Sequence, residues 1–296
     1  MNRQFQGIYA ALVTPYTAAG EINRKELKKL VRYLIRKGID GFYVGGSTGE
    51  AFILTQDERK ALLEAVLEEN NGEKKVIAHV GQISTILACD LARHAAESGA
   101  DAVSAISPFY YKFSEEEIKG YYGDIMNVSR LPMFLYNFPN FSGFSLSPEV
   151  LDDLCGMGEV AGVKFTSNNF YDMERMRSSH PELTIWNGFD EMLISGLTVG
   201  ADGAIGSTYN ILCPIAKRAY ESVRTGELER AREYQKMINR LVAVSRKYSN
   251  IFMVIKAVLE REGLAMGGCR KPFGGLPDSA AADVEMIYRT LVEPFS

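Results

Sequence analysis

The chain lacks the usual marks of a covalently or metal-stapled scaffold. Its four cysteines, Cys89, Cys155, Cys213 and Cys269, are scattered over 296 residues with no CxxC pair. That spacing excludes a disulfide framework or zinc ribbon and fits a reduced, cytoplasmic chain. The three histidines, His79, His94 and His180, have no metal-ligand spacing. Positive charge is not in excess. Lys+Arg number 33 against 37 Asp+Glu, a net charge of -4, which argues against nucleic acid or an anionic membrane as the partner. No apolar run approaches the ~20 residues that span a bilayer. The N-terminal stretch from Met1 to Gly7 is polar and has no apolar signal core. Low-complexity segments and domain linkers are also missing, and there is no GxSxG nucleophile elbow.

What remains is an alternation of short apolar runs with longer segments of helical period. Ile8–Val13, Phe42–Val44, Val76–Val80, Ala102–Ile106, Met133–Tyr136, Val160–Lys164, Thr184–Trp186 and Gly203–Ile205 read as eight strands. They are almost continuously apolar, as strands covered on both faces should be. Between them, Arg24–Lys37 places Leu27, Leu30, Val31 and Leu34 on one helical face, and Gln56–Glu69 does the same with Leu62, Leu63, Val66 and Leu67. Thr55 to Glu58 and Ser114 to Glu117 read as capping boxes, and Ser147-Pro148 as a helix start. Gly38-Ile-Asp-Gly41, Gly99-Ala-Asp-Ala102 and Gly200-Ala-Asp-Gly203 repeat one helix-to-strand turn.

Eight such units predict an α/β fold of the closed (β/α)₈ TIM-barrel type over residues 1–225. A doubly wound sheet would show a glycine-rich phosphate turn after its first strand, and Ala10-Ala-Leu-Val-Thr-Pro15 has none. After residue 210 the pattern is helical, at Cys213–Thr225, Glu227–Tyr248, Ile251–Arg261 and Ala280–Leu291. Residues 226–296 therefore read as a C-terminal helical extension packed on the barrel, in one structural unit.

Barrel enzymes build their sites where the strands end. Gly45-Gly-Ser-Thr-Gly-Glu50 offers open backbone N–H groups and the hydroxyls of Ser47 and Thr48, suited to a carboxylate or phosphate, or else it is a glycine-rich turn with a hydroxyl cap. Tyr136 ends strand five, as a core aromatic or as a proton relay. Lys164 ends strand six. A lysine there either snorkels out of the mouth or is desolvated, with its pKa lowered so that a free amine is available for Schiff-base chemistry. Asp190 and Glu191 after strand seven, and Ser207 after strand eight, are dipole partners of helix starts or acceptors for a polyol. His79 reads as a satisfied core histidine, Phe109-Tyr110-Tyr111 as barrel rim or subunit interface, and the Arg270-Lys271 pair as solvated.

Taken in order, several segments resemble the pyruvate-dependent class I aldolases of the dihydrodipicolinate synthase and N-acetylneuraminate lyase superfamily. They are Gly45 to Phe52, Ala78 to Gly81, Asp101 to Ala105, Pro108 to Tyr111, Tyr136 to Pro139, Gly162 to Thr166, Asn187 to Glu191, Gly206 to Asn210 and Cys269 to Phe273. The resemblance covers Gly7 to Gly274. It implies that Lys164 forms the imine, that Ser47 and Thr48 hold the substrate carboxylate, and that Tyr136 relays a proton. It further implies that Thr166 sits near the reacting carbon, that Gly188, Asp190, Glu191 and Ser207 meet the hydroxyl-rich tail, and that Tyr110 reaches Tyr136 of a neighbouring subunit in a homotetramer built as a dimer of dimers. The substrates implied are a small sugar acid and pyruvate, with no metal and no organic cofactor. The lyase branch is favoured, which implies reversible cleavage of N-acetylneuraminate to N-acetyl-D-mannosamine and pyruvate. Dihydrodipicolinate synthases usually carry Thr-Thr where Ser47-Thr48 stands, and an arginine where this chain has Phe141. Losing that cation should cost a carboxylate partner ~1.5–3 kcal/mol or more. The alternative is another pyruvate-dependent lyase of the superfamily, a dihydrodipicolinate synthase or a 2-keto-3-deoxy sugar acid aldolase.

Overall fold

The computed structural model describes residues 4–248 and 250–295, so Met1 to Arg3 of the polar N-terminal stretch, and Ser249 and Ser296 of the C-terminal extension, lie outside it. Eight parallel strands close into a barrel: β1 (Gly7–Ala11), β2 (Gly41–Val44), β3 (Lys75–His79), β4 (Ala102–Ile106), β5 (Met133–Asn137), β6 (Val160–Phe165), β7 (Thr184–Asn187) and β8 (Gly203–Gly206). Each pairs with the next, and β8 pairs back onto β1 through Gly7 opposite Gly203. The order is the one expected of the (β/α)₈ barrel.

Strand alternation sorts the side chains into two cores. Met133 and Leu135 of β5 face the helices, whereas Phe134 and Tyr136 face the barrel interior. The interior floor is aromatic. Phe134 and Trp186 lie 4.6 Å apart, Tyr9 lies 4.9 Å from Trp186, and Phe5 closes the lower end 5.1 Å from Phe134. Gly41 leaves room for the Tyr9 ring, since a Cβ there would collide with it. This floor is a dry, packed base on which the strand ends stand.

The helix starts form as their sequences require. Thr55 and Ser114 each complete a capping box, and the Ser147 hydroxyl accepts from the Val150 N–H. Several boundaries move, among them the helix expected at Glu227–Tyr248, which runs Leu228–Ser245. β1 ends at Ala11 rather than Val13, because the Val13 N–H leaves the ladder for the Asn210 side chain. The helix expected at Cys213 starts at Tyr209 and kinks at Leu212, two residues before Pro214. The last helix runs Ala281–Ile287 and loosens into a wider turn over Tyr288–Val292. The extension carries Leu228–Ser245 and Ile251–Arg261, the first packed along Tyr209–Arg224. Among the described residues no helix is long and apolar enough to cross a membrane.

The aromatic floor should dominate core stability. Trp186 is fully buried, and Trp186→Ala should cost ~3–5 kcal/mol, read as a lower urea midpoint. An unchanged midpoint would mean that the interior repacks freely and that the floor is not a rigid base.

Candidate active site

Lys164 sits between Val163 and Phe165, which belong to the outer core, so its side chain turns into the barrel. Register places it beside Tyr136 on one side and Trp186 on the other. It is 5% exposed. Its Nζ lies 4.1 Å from the Tyr136 ring centre and 4.3 Å from that of Tyr43. Among the described residues no carboxylate comes within ion-pair distance of it. Burial pulls its pKa down to about 7, and the more distant Asp190 charge opposes this only in part. Near neutral pH a large fraction of this amine is therefore unprotonated.

Tyr136 is also buried. Burial pushes its phenol above the usual value, against the opposing pull of the Thr166 and Ser47 hydroxyls beside it. Thr166 Oγ1 is buried without a partner of good hydrogen-bond geometry, so it keeps capacity for a ligand. Gly188 lies against it, and a Cβ at Gly188 would strike Thr166 Oγ1. Glycine is required there to let the chain after β7 pass the mouth.

The Gly45–Glu50 segment folds as a single tight turn, with Ser47–Gly49 in 3₁₀ geometry. A turn that starts here leaves its first N–H groups without intrahelical partners. The Thr48 hydroxyl bonds to the Ser207 hydroxyl at 2.6 Å, which joins the loops after β2 and β8. Behind the turn, Arg59 is buried and donates to the carbonyls of Gly45, His79 and Gly81. Burial lowers its pKa to about 10. His79 Nδ1 lies 3.0 Å from Gly45 O and its Nε2 faces the Ile106 N–H, a network that assigns the neutral Nδ1–H tautomer. Burial, then the charge of Arg59, holds its pKa well below the usual value. It is the satisfied core histidine that its place in β3 suggested.

Asp190 is buried and accepts from the Thr208 N–H at 2.7 Å. Burial raises its pKa to about 6. Glu191 stands at the mouth, 3.5 Å from Arg246. Together these groups line a cleft of about 720 Å³. Ser47, Thr48, Tyr136, Lys164, Thr166, Gly188, Asp190, Glu191 and Ser207 all border it, and its outer part is walled by aromatic residues that include Phe52, Phe138, Phe141 and Phe252. Tyr110 is not part of it. It is 84% exposed, with φ of 79°, on the rim beside Tyr111.

One expectation is corrected and two residues were missed. Arg270 is not a solvated cation. Its guanidinium binds Glu58 through both terminal nitrogens, and the Arg270 backbone N–H donates to Glu50 at 2.8 Å. A helix N-cap region and a C-terminal loop are thereby tied across the chain, a contact that no local pattern encodes. Glu50 and Lys256 form an ion pair at 2.6 Å with side chains 0% and 1% exposed. The available signal was a single lysine within the apolar run Ile251 to Leu259.

The low pKa of Lys164 has a measurable consequence. The unfolded chain binds a proton at this amine up to pH 10.5, and the folded chain only up to about 7. Stability must therefore rise with pH across that window. Lys164→Met should stabilise the fold at pH 6, on the order of a few kcal/mol, and the gain should fade by pH 10. Melting temperatures at the two pH values test this. An equal gain at both would place the amine in contact with water.

Residues 4–290 match the dihydrodipicolinate synthetase family. The chain is 39% identical over 295 residues to an N-acetylneuraminate lyase of Escherichia coli (strain SMS-3-5 / SECEC), covering 99% of each. It is also similar to a Clostridium difficile protein, CdNal, solved in complex with mannosamine, with a TM-score of 0.94 and 38% identity over 97% of this chain and 99% of that one. A catalytic-lysine mutant of a Ruminococcus gnavus sialic acid aldolase superposes with a TM-score of 0.95 at 31% identity, over 98% and 96% of the two chains. With a family match that spans nearly its whole length, this chain belongs to the dihydrodipicolinate synthetase family.

Proposed function

We propose that this protein is a Schiff-base aldolase that reversibly cleaves N-acetylneuraminate to N-acetyl-D-mannosamine and pyruvate. The observation that carries the reading is the buried, uncompensated amine of Lys164 facing the Tyr136 phenol inside the cleft. The neutral amine adds to C2 of the open-chain sugar acid, and loss of water gives the imine. Ser47 and Thr48, with the free N–H groups of their turn, hold the carboxylate. The C4 hydroxyl gives up its proton through Tyr136 as the C3–C4 bond breaks. The bond electrons flow into the protonated imine and leave an enamine of pyruvate. Protonation at C3 and hydrolysis then release pyruvate and restore Lys164. The imine is itself the electron sink, so the reaction needs no metal or organic cofactor.

A raised phenol pKa keeps Tyr136 protonated, so it must hand one proton on as it takes another. Ser47 lies beside it for this, and Tyr110 of a neighbouring subunit in a homotetramer would extend the relay. The exposure of Tyr110 and Tyr111 suits such a contact. The lyase reading is preferred over dihydrodipicolinate synthase on the character of the outer cleft. Among the described residues its basic side chains are Lys164 and Arg246, and Arg246 already faces Glu191. The acids Asp190 and Glu191, neither of them cancelled in a buried pair as Glu50 is by Lys256, and a wall of aromatic rings suit a neutral polyol with an acyl group better than an acidic aldehyde. Asp190, Glu191, Gly188 and Ser207 would meet that polyol, with Thr166 near C4. A cytoplasmic location goes with this reading; among the described residues no helix is long and apolar enough to cross a membrane.

Incubation with pyruvate and sodium borohydride should leave a reduced pyruvyl adduct on Lys164, located by peptide mass spectrometry, and the same preparation should cleave N-acetylneuraminate. An adduct without cleavage would move the substrate to another sugar acid or to aspartate semialdehyde, and no adduct would remove the Schiff base. Lys164→Ala should abolish turnover with the fold intact. Tyr136→Phe should still form the imine but lose cleavage by roughly 10²–10⁴-fold. Near-normal cleavage by that variant would take Tyr136 out of the relay.

A further inference from the structure

The carboxylate-binding turn is anchored from a distant part of the chain. Glu50 ends the turn that carries Ser47 and Thr48 and adopts a left-handed conformation, φ 62°, which a non-glycine residue holds only when its surroundings enforce it. The enforcement comes from the C-terminal extension. Lys256 Nζ donates to Glu50 Oε1 at 2.6 Å and to Gly268 O at 2.9 Å, and the Arg270 N–H donates to Glu50 Oε2 at 2.8 Å. The Tyr16 ring lies under both cations, 4.5 Å from Lys256 Nζ and 4.8 Å from the Arg270 guanidinium. Glu50 and Lys256 are 206 residues apart in sequence and almost wholly buried.

A buried ion pair is a poor way to gain stability, because an apolar pair of the same size commonly does as well or better. It does fix direction, however, through short and oriented bonds. Its charge balance also matters here. Glu50 is among the residues that border the cleft, two positions after Thr48 in the same turn, where an unpaired carboxylate would repel the carboxylate of an incoming 2-keto acid. Lys256 cancels that charge and pulls the end of the turn against the extension.

We propose that Lys256 and Glu50 are a positioning pair for substrate carboxylate recognition, aiming Ser47 and Thr48 and keeping their surroundings free of net negative charge. This deepens the Schiff-base reading and rests on it. The pair does not touch the reacting atoms, so it tunes the capture of carboxylate-bearing ketones and not the amine chemistry of Lys164.

The test compares two ketones that differ in the carboxylate. Borohydride trapping on Lys164 is titrated with pyruvate and with acetone, in the wild type and in Lys256→Met. Half-saturating pyruvate should rise roughly tenfold or more while acetone trapping stays within about twofold, the size of loss that a misplaced binding group causes. Lys256→Arg should recover most of the pyruvate affinity. Should Lys256→Met fail to fold, the double variant Glu50→Gln/Lys256→Met, which leaves no lone buried charge, should show the same selective loss. Equal changes for both ketones, or none, would overturn the positioning role and make the pair purely structural. A wild-type protein that traps neither ketone would instead overturn the Schiff-base reading, and the proposed role of the pair would go with it.

Discussion

A lysine is neutral near pH 7 only where it is largely desolvated and no carboxylate pairs with it. Lys164 meets both conditions, and much of the surrounding structure follows from them. The aromatic floor of Tyr9, Phe134 and Trp186 keeps water out from below. Tyr43 and Tyr136 present ring faces to the amine. The nearest acid, Asp190, has one carboxylate oxygen engaged by the Thr208 N–H and is itself buried, with its pKa raised to about 6. A closer or fully charged acid would push the amine back towards its ordinary pKa and take away its nucleophilicity. The site thus stores an energetic cost in the fold, paid by packing elsewhere, in return for a reactive group.

Among the described residues, three cations are buried around this mouth, and each is accommodated differently. Lys164 gives up its proton for part of the time. Arg59, which keeps its proton, is satisfied by the carbonyls of Gly45, His79 and Gly81. Lys256 is neutralised by Glu50. The last two act on opposite ends of the same turn, at Gly45 and at Glu50. That turn carries the hydroxyls of Ser47 and Thr48, and the Thr48–Ser207 bond then links it to the loop after β8. The turn where a carboxylate would bind is therefore tied at both ends and across to the loop after β8. Farther out, the mouth is lined by aromatic side chains such as Phe141, which is 72% exposed.

Much of this was legible along the chain. Strands covered on both faces must be apolar throughout, so β1 to β8 announce themselves within a residue or two. Helix starts at Gln56, Glu115 and Pro148 follow from caps made by neighbouring residues. Because barrel sites form at strand ends, Tyr136, Lys164, Asp190 and Ser207 could be found by position, and the structure brings them to one cleft. The short shift at β1 and the early start at Tyr209 were not legible, since both depend on Asn210 reaching back across the barrel closure to Val13 and Ala11.

The sequence by itself determined the repeating βα pattern and the residues placed at the mouth, because both arise from periodicities of two and 3.6 that act within a few neighbours. Tertiary structure alone decided how strongly Lys164 is desolvated, which donors Asp190 faces, and that Arg270 and Lys256 belong to the support of the site. Desolvation depends on what fills the space around a group. The Glu50–Lys256 and Glu58–Arg270 contacts, in turn, close loops of more than two hundred residues. Neither can be read from residues taken in order, because both are set only when the barrel closes and the C-terminal helices pack against it.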